Sequence, residues 1–181
     1  AYPAASSPSL AVFNLSGTKA IILNGDETIS FVDVDSNSVT STISPGLGAF
    51  NFAATMANGL IYATITDTST VVIIDPATES ILSSYAACNG ASNSLATIAK
   101  DPSNSNQYYE YCIQPTPSVK VRSVTNTSEL RAFPVAHEGL GFAVSPDGGA
   151  IAVPRQGAAI VDIYSTSDGA LIQSIPTTAP G

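Results

Sequence analysis

The feature that most constrains this chain is a repeat. The segments Ala20 to Ile43 (AIILNGDETISFVDVDSNSVTSTI), Leu60 to Tyr85, Gln107 to Phe133 and Ala150 to Ile175 share one pattern of strand, polar turn, strand, polar turn, strand. They recur about every 42 residues, with Asp33, Asp75, Ser123 and Tyr164 at aligned positions. A further short strand precedes each segment, at Leu10 to Leu15, Phe50 to Thr55, Ser94 to Ala99 and Gly141 to Ser145. The apolar residues alternate or run in short blocks rich in Val, Ile, Thr and Tyr, broken by Gly, Pro, Asn, Asp and Ser, and no stretch sustains a 3.6-residue period, so strands are expected and no helix of consequence. Four strands in each unit of roughly 40 to 45 residues predict an all-β chain of four-stranded antiparallel blades, because one blade cannot cover both of its apolar faces and must stack on a neighbour. Within a blade the order is an inner strand, two middle strands and an outer strand. The outer strands, Val39 to Ile43, Ser80 to Tyr85, Glu129 to Phe133 and Leu171 to Ile175, are the most polar, as a rim requires.

Composition bounds the alternatives. With 181 residues, 44% hydrophobic and only 11% charged, the chain can bury a core and is too apolar for disorder. No segment approaches the roughly 20 apolar residues of a membrane-spanning helix. Fourteen acidic against six basic residues give a net charge of −8 and a pI near 4.2. That field repels phosphate backbones and anionic lipid, which argues against nucleic acid and membrane surfaces as partners.

Several features read as a mature secreted protein. The chain starts Ala1-Tyr2-Pro3-Ala4-Ala5 without Met, a basic region or an apolar leader, and Lys is scarce. Asn14-Leu15-Ser16 and Asn126-Thr127-Ser128 are glycosylation sequons. Cys88 and Cys112 are the only cysteines, and in a secreted chain their default state is one disulfide. Closing a loop of about 24 residues stabilises by about 3 kcal/mol in the chain-entropy model. A catalytic thiol would need a nearby imidazole, whereas the sole His, His137, belongs to a different repeat from Cys112.

The phrases GLGFAVSPDGGAIAV and TVVIIDPATESILSSY resemble the YVTN-type β-propeller repeat of surface-layer and lactonase-like secreted propellers. There a V-S-P-D-G turn joins the two inner strands and an I-D-x-x-T turn the two outer ones. The resemblance runs from about Leu10 to the end and is strongest in the second and fourth repeats; the first keeps Gly17 without Pro-Asp, and the third has Asp101-Pro102-Ser103-Asn104 instead. It implies a fold more than a chemistry, and Asp33, Asp75 and Asp147 read as turn formers. It divides the chain into an extension (1–9) and one propeller domain (10–181) with blades near 10–46, 47–88, 89–135 and 136–178. Family propellers mostly carry seven or more blades. Four imply a small ring, a half-ring completed by a second copy, or a piece of a longer protein; an open half exposes an apolar face at each end, which favours the homodimer.

Ligands of propellers gather at loops around the central channel. On the blade assignment these are Asn24 to Thr28, Thr66 to Thr70, Gln114 to Ser118 and Pro154 to Ala158, with Ser44 to Ala49, Ala86 to Asn93 and Pro134 to Leu140. Their ionisable members are Asp26, Glu27, Asp67, His137, Glu138 and Arg155. Of these Asp26, Glu27, Asp67, His137 and Arg155 are candidate binding residues. His137, Glu138, Asp26 and Asp67 are the candidates for catalysis, His137 as general base or the carboxylates as a pair. No cofactor is predicted, although the carboxylates could hold a divalent metal. The nucleophile-elbow, zincin, P-loop and C-x-x-C patterns do not occur. Tyr108, Tyr109 and Tyr111 could form a sugar platform, but packing between blades explains them more simply, with Tyr109 and Tyr111 on one strand face and Tyr108 on the other. The function expected is a secreted binding module presenting loops to a protein, glycan or small ligand; the alternative is a lactonase-like hydrolase.

Overall fold

Among the described residues sixteen short strands, the middle ones of blades 1 to 3 buried along nearly their whole length and the outermost ones largely exposed, build four antiparallel sheets of four strands each, every sheet formed by strands consecutive in the chain. The structure, a computed structural model, describes residues 7–65, 67–91, 93–139 and 141–177. The start of the N-terminal extension, Thr66, Ser92 and Leu140 in the expected loops, and Thr178 at the end of the fourth blade lie outside the described residues. Two compact units divide the chain, Ala1–Asn93 and Ser94–Gly181, with two sheets in each.

In the first unit, blade 1 comprises β1 (Pro8–Phe13), β2 (Lys19–Asn24), β3 (Ile29–Asp33) and β4 (Ser38–Ile43), and blade 2 comprises β5 (Phe52–Thr55), β6 (Ile61–Ile65), β7 (Thr70–Asp75) and β8 (Ser80–Ala86). Register explains which side chains meet. Ile21 pairs with Phe31 and Leu23 with Ile29, so these four share one face of blade 1. Ala63 pairs with Val72 and Ile61 with Ile74 on one face of blade 2. The two faces form one buried core, which also takes in Phe50 and Ile65. At the outer rim the carboxylate of Glu79, in the β7–β8 turn, accepts hydrogen bonds from Lys19 Nζ, Thr40 Oγ1 and Ser41 Oγ. Burial pushes its pKa up, but the Lys19, Ser41 and Thr40 donors outweigh that and hold it below the usual value.

In the second unit, blade 3 comprises β9 (Leu95–Lys100), β10 (Gln107–Cys112), β11 (Ser118–Ser123) and β12 (Glu129–Pro134), and blade 4 comprises β13 (Ala143–Val144), β14 (Ala150–Pro154), β15 (Ile160–Ser165) and β16 (Leu171–Pro176). Tyr109, Tyr111, Val119 and Val121 of blade 3 pack on Ile151, Val153 and Tyr164 of blade 4. Phe142 meets both tyrosine rings edge-on, at centroid distances of 6.5 and 5.9 Å. Tyr108 lies on the opposite face, in register with Arg122, and all three tyrosines are buried. The cluster is therefore core, as alternation along QYYEYC indicates. On the Tyr108 face, Arg122 and buried Glu110 form an ion pair.

The turns between third and fourth strands repeat four times. Each ends on a left-handed residue, Asn37, Glu79, Thr127 or Gly169, with φ of 53°, 54°, 59° and 74°. Each begins on a side chain that accepts from the turn backbone: Asp33 from Ser36, Asp75 from Ala77, Ser123 from Thr125 and Ser165 from Ser167. The aligned fourth position is thus Ser165 rather than Tyr164: Ser165 pairs with Ala150 as Asp33 pairs with Lys19, and Tyr164 points into the core. Asp147 serves the same purpose in the β13–β14 turn, accepting from Gly149 N and Ser145 Oγ.

Cys88 and Cys112 are disulfide-bonded and both are buried. Cys88 opens a single 3₁₀ turn, Cys88–Gly90, and Cys112 ends β10. Among the described residues no helix is long and apolar enough to cross a membrane.

Candidate functional site

The candidate residues fall into the expected turns, three in each unit. Asp26 and Glu27 occupy the β2–β3 turn and Asp67 the β6–β7 turn of the first unit, all exposed. Asp26 accepts from both Thr28 N and Thr28 Oγ1, at 3.2 and 2.6 Å, so one carboxylate oxygen closes its own turn. Glu27 carries a left-handed φ of 67°.

The second unit brings more together. The segment after β12 carries His137 and Glu138, both exposed, and is fastened at three points. Buried Tyr111 donates its hydroxyl to His137 O at 3.1 Å, Ala136 N donates to Tyr164 Oη at 2.9 Å, and Gln156 N donates to Glu138 O at 2.8 Å. Gly139 lies so close to β14 that a Cβ there would stand 2.4 Å from Pro154 O, so only glycine lets the segment seat. Burial pushes the Tyr111 phenol up to about 12, which keeps its proton on the donating side of that bond.

Arg155, in the β14–β15 turn, is not a free cation. Its Nη2 lies 3.0 and 2.9 Å from the two oxygens of Asp162, and its Nε reaches Oδ2 at 3.3 Å. Asp162 is buried in β15 and also accepts from Ser174 Oγ at 2.6 Å. Burial raises its pKa, but Ser174 and Arg155, with a smaller electrostatic contribution from His137, hold it below the usual carboxylate range. Sequence reasoning missed Asp162, Ser174, Tyr111 and Tyr164 as supports. A signal existed in IVDIYS, where a lone carboxylate inside an apolar strand demands a partner.

The sequon asparagines lie in turns. Asn14 Oδ1 accepts Lys19 N and its Nδ2 donates to Thr18 Oγ1, so the amide caps the β1–β2 turn. Asn126 is exposed and uses Oδ1 for Ser128 N and Oγ.

No protein-family model matches the chain, and no curated protein matches it in sequence. Solved structures do. Hydrazine synthase of Kuenenia stuttgartiensis superposes with a TM-score of 0.77 at 15% identity, over 97% of this chain and 51% of that one. The Cps50 (Swd1) β-propeller domain of Myceliophteria thermophila gives 0.76 at 11% identity, over 97% and 57%. A putative 6-phosphogluconolactonase of Bacteroides fragilis gives 0.73 at 15%, over 93% and 55%. At such identities the likeness concerns fold alone, and the fold is that of β-propeller blades. This chain spans about half the length of these three structures.

Proposed function

We propose that the protein is a secreted β-propeller binding module that presents the segment from Val135 to Gly139 to a protein, glycan or small ligand. The observation that carries this reading is the fastening of that segment. Its backbone is held by Tyr111, Tyr164 and Gln156, while the side chains of His137 and Glu138 project exposed. A loop ordered before binding loses little further entropy when a ligand arrives, which suits recognition. The buried disulfide is compatible with an extracellular setting. The YVTN-type resemblance and two sequon turns support the same placement. The second reading, a lactonase-like hydrolase with His137 as base beside Glu138, draws on the likeness to the putative 6-phosphogluconolactonase and on an imidazole suited to proton transfer near neutral pH.

The test screens the purified protein against a glycan array and a peptide library, and in parallel against simple lactones and esters. A captured ligand whose affinity falls tenfold or more in His137→Ala and Glu138→Ala, with no turnover of any lactone, bears out the module. Lactone hydrolysis lost in His137→Ala replaces it with the hydrolase. Binding indifferent to both substitutions overturns the assignment of the segment.

A further inference from the structure

Blade 1 carries an apolar face that its own unit leaves open. Phe13 pairs with Ala20 and Ala20 with Val32; Ala11 pairs with Ile22. Together with Pro8 and Val34 they line a groove of about 390 Å³, and Phe13 is 54% exposed. Register shows what such a face is for. Aligning the turns at Asp33 and Asp75 places Phe13, Ala20 and Val32 on Thr55, Ile61 and Ile74 of blade 2, and places Ala11 and Ile22 on Ala53 and Ala63. Ala53, Ile61, Ala63 and Ile74 are the residues by which blade 2 buries itself against blade 1. The open groove is therefore the same docking face, one repeat earlier, continuous in kind with an interface already formed in the molecule.

The matching surface also exists on this chain. Blade 1 meets blade 2 through Ile21, Ile29 and Phe31. Aligning Asp33 with Ser165 puts Ala152, Val161 and Ile163 of blade 4 at those positions. Ala152 pairs with Ile163, and Val161 with Ile175, so they share one face of blade 4, away from the Ile151, Val153 and Tyr164 core. Ile175 is 40% exposed. Neither open face carries a charged side chain. That matters for a chain with a net charge of −8, since apposing these faces brings no like charges together.

We infer that the blade 1 groove takes the Ala152, Val161, Ile163 and Ile175 face of blade 4 from a second copy, head to tail. The chain's span of about half its structural neighbours leaves room for a second set of blades. A contact between two different patches of one chain closes into a ring or continues as a polymer, but it cannot stop at an unpaired face without leaving apolar surface wet.

Light scattering on the full chain at micromolar concentration tests this, with Phe13→Arg and Ile175→Arg as exposed substitutions and far-UV circular dichroism to check folding. A mass at twice 18.4 kDa or a higher multiple, reduced to one chain by either variant with the β spectrum kept, is the expected result. A wild-type mass of one chain overturns the inference. Dissociation by Phe13→Arg alone would show two blade 1 faces meeting each other and overturn the head-to-tail contact. Assembly that persists in both variants overturns the assignment of the faces. Should either variant lose its β spectrum, Ala11→Arg and Gln173→Arg read the same two faces at exposed positions.

Discussion

The guanidinium of Arg155 meets both carboxylate oxygens of Asp162, one residue at the mouth of a turn and the other buried inside a strand. The pair fixes the β14–β15 corner beside His137, and Ser174 ties it to the outer strand. Replacing Asp162 by Asn leaves the guanidinium half-buried without its counter-charge, a loss of about 2 kcal/mol for a charged hydrogen-bonded partner. Because the folded-state pKa of Asp162 is depressed, its stabilisation is complete above the unfolded carboxylate value and disappears as pH falls through the lower folded one. Urea unfolding of wild type and Asp162→Asn should therefore differ by a constant amount from pH 7 to about 4 and converge below that. Equal midpoints at pH 7 would mean the pair contributes nothing net.

Two glycines with nearly the same backbone separate conformational strain from packing. Gly17 has φ of 72° and open space around it; Gly169 has φ of 74°, and a Cβ there would stand 2.3 Å from Phe133 Cβ. Gly17→Ala should cost about 1 kcal/mol, the price of left-handed backbone alone. Gly169→Ala forces Phe133 out of the blade 3 and blade 4 core and should cost about 2 kcal/mol more. Chemical denaturation of the two variants checks it; equal losses would show that Phe133 yields freely.

Much of this was readable from residue order because strands write their faces into a period of two. QYYEYC announces which tyrosines share a core, and D-x-x-T and S-P-D-G announce turns whose carboxylates serve the backbone. What resisted was anything decided by register between strands. That Ser165, and not Tyr164, heads the blade 4 turn is visible only in its pairing with Ala150 and in the hydrogen bond it accepts from Ser167 N. Arg155 looked like a loop cation for the same reason: its partner Asp162 is seven residues away in sequence and adjacent only once β14 and β15 pair. The fastening of the His137 segment by Tyr111 links side chains 26 positions apart.

The disulfide should behave as a protected element. Both sulfurs belong to residues only 1% exposed, so a reductant gains access through opening of the structure. Mild dithiothreitol should leave Cys88 and Cys112 joined in the native protein and reduce them promptly in 6 M guanidinium, as counted by thiol alkylation and mass. The double variant Cys88→Ala, Cys112→Ala should lose about 3 kcal/mol of unfolding free energy, the loop-closure value. Rapid alkylation under native conditions would place the bond in an open segment instead.

Alkaline titration tests the tyrosine core directly. Burial, together with the hydrogen bond from its hydroxyl to Asp101, pushes Tyr109 up to about 12, and burial pushes Tyr111 up to about 12. In the unfolded chain both phenols ionise near 10. Their folded pKa values are raised, so the stability they lend is complete below pH 10 and drains away as pH climbs towards 12, where the unfolded state releases protons the folded state keeps. Ultraviolet difference spectra at 295 nm should then show part of the seven-tyrosine signal appearing only with cooperative unfolding above about pH 11. Tyr109→Phe removes one late phenol and leaves the Asp101 carboxylate short of a donor, so it should lower neutral-pH stability by about 1 kcal/mol while shrinking the late absorbance step. A smooth titration of all seven phenols centred near 10 would show that the ring cluster admits hydroxide without opening, and the packing of Tyr109 and Tyr111 on Ile151 and Val153 would have to be looser than the geometry shows.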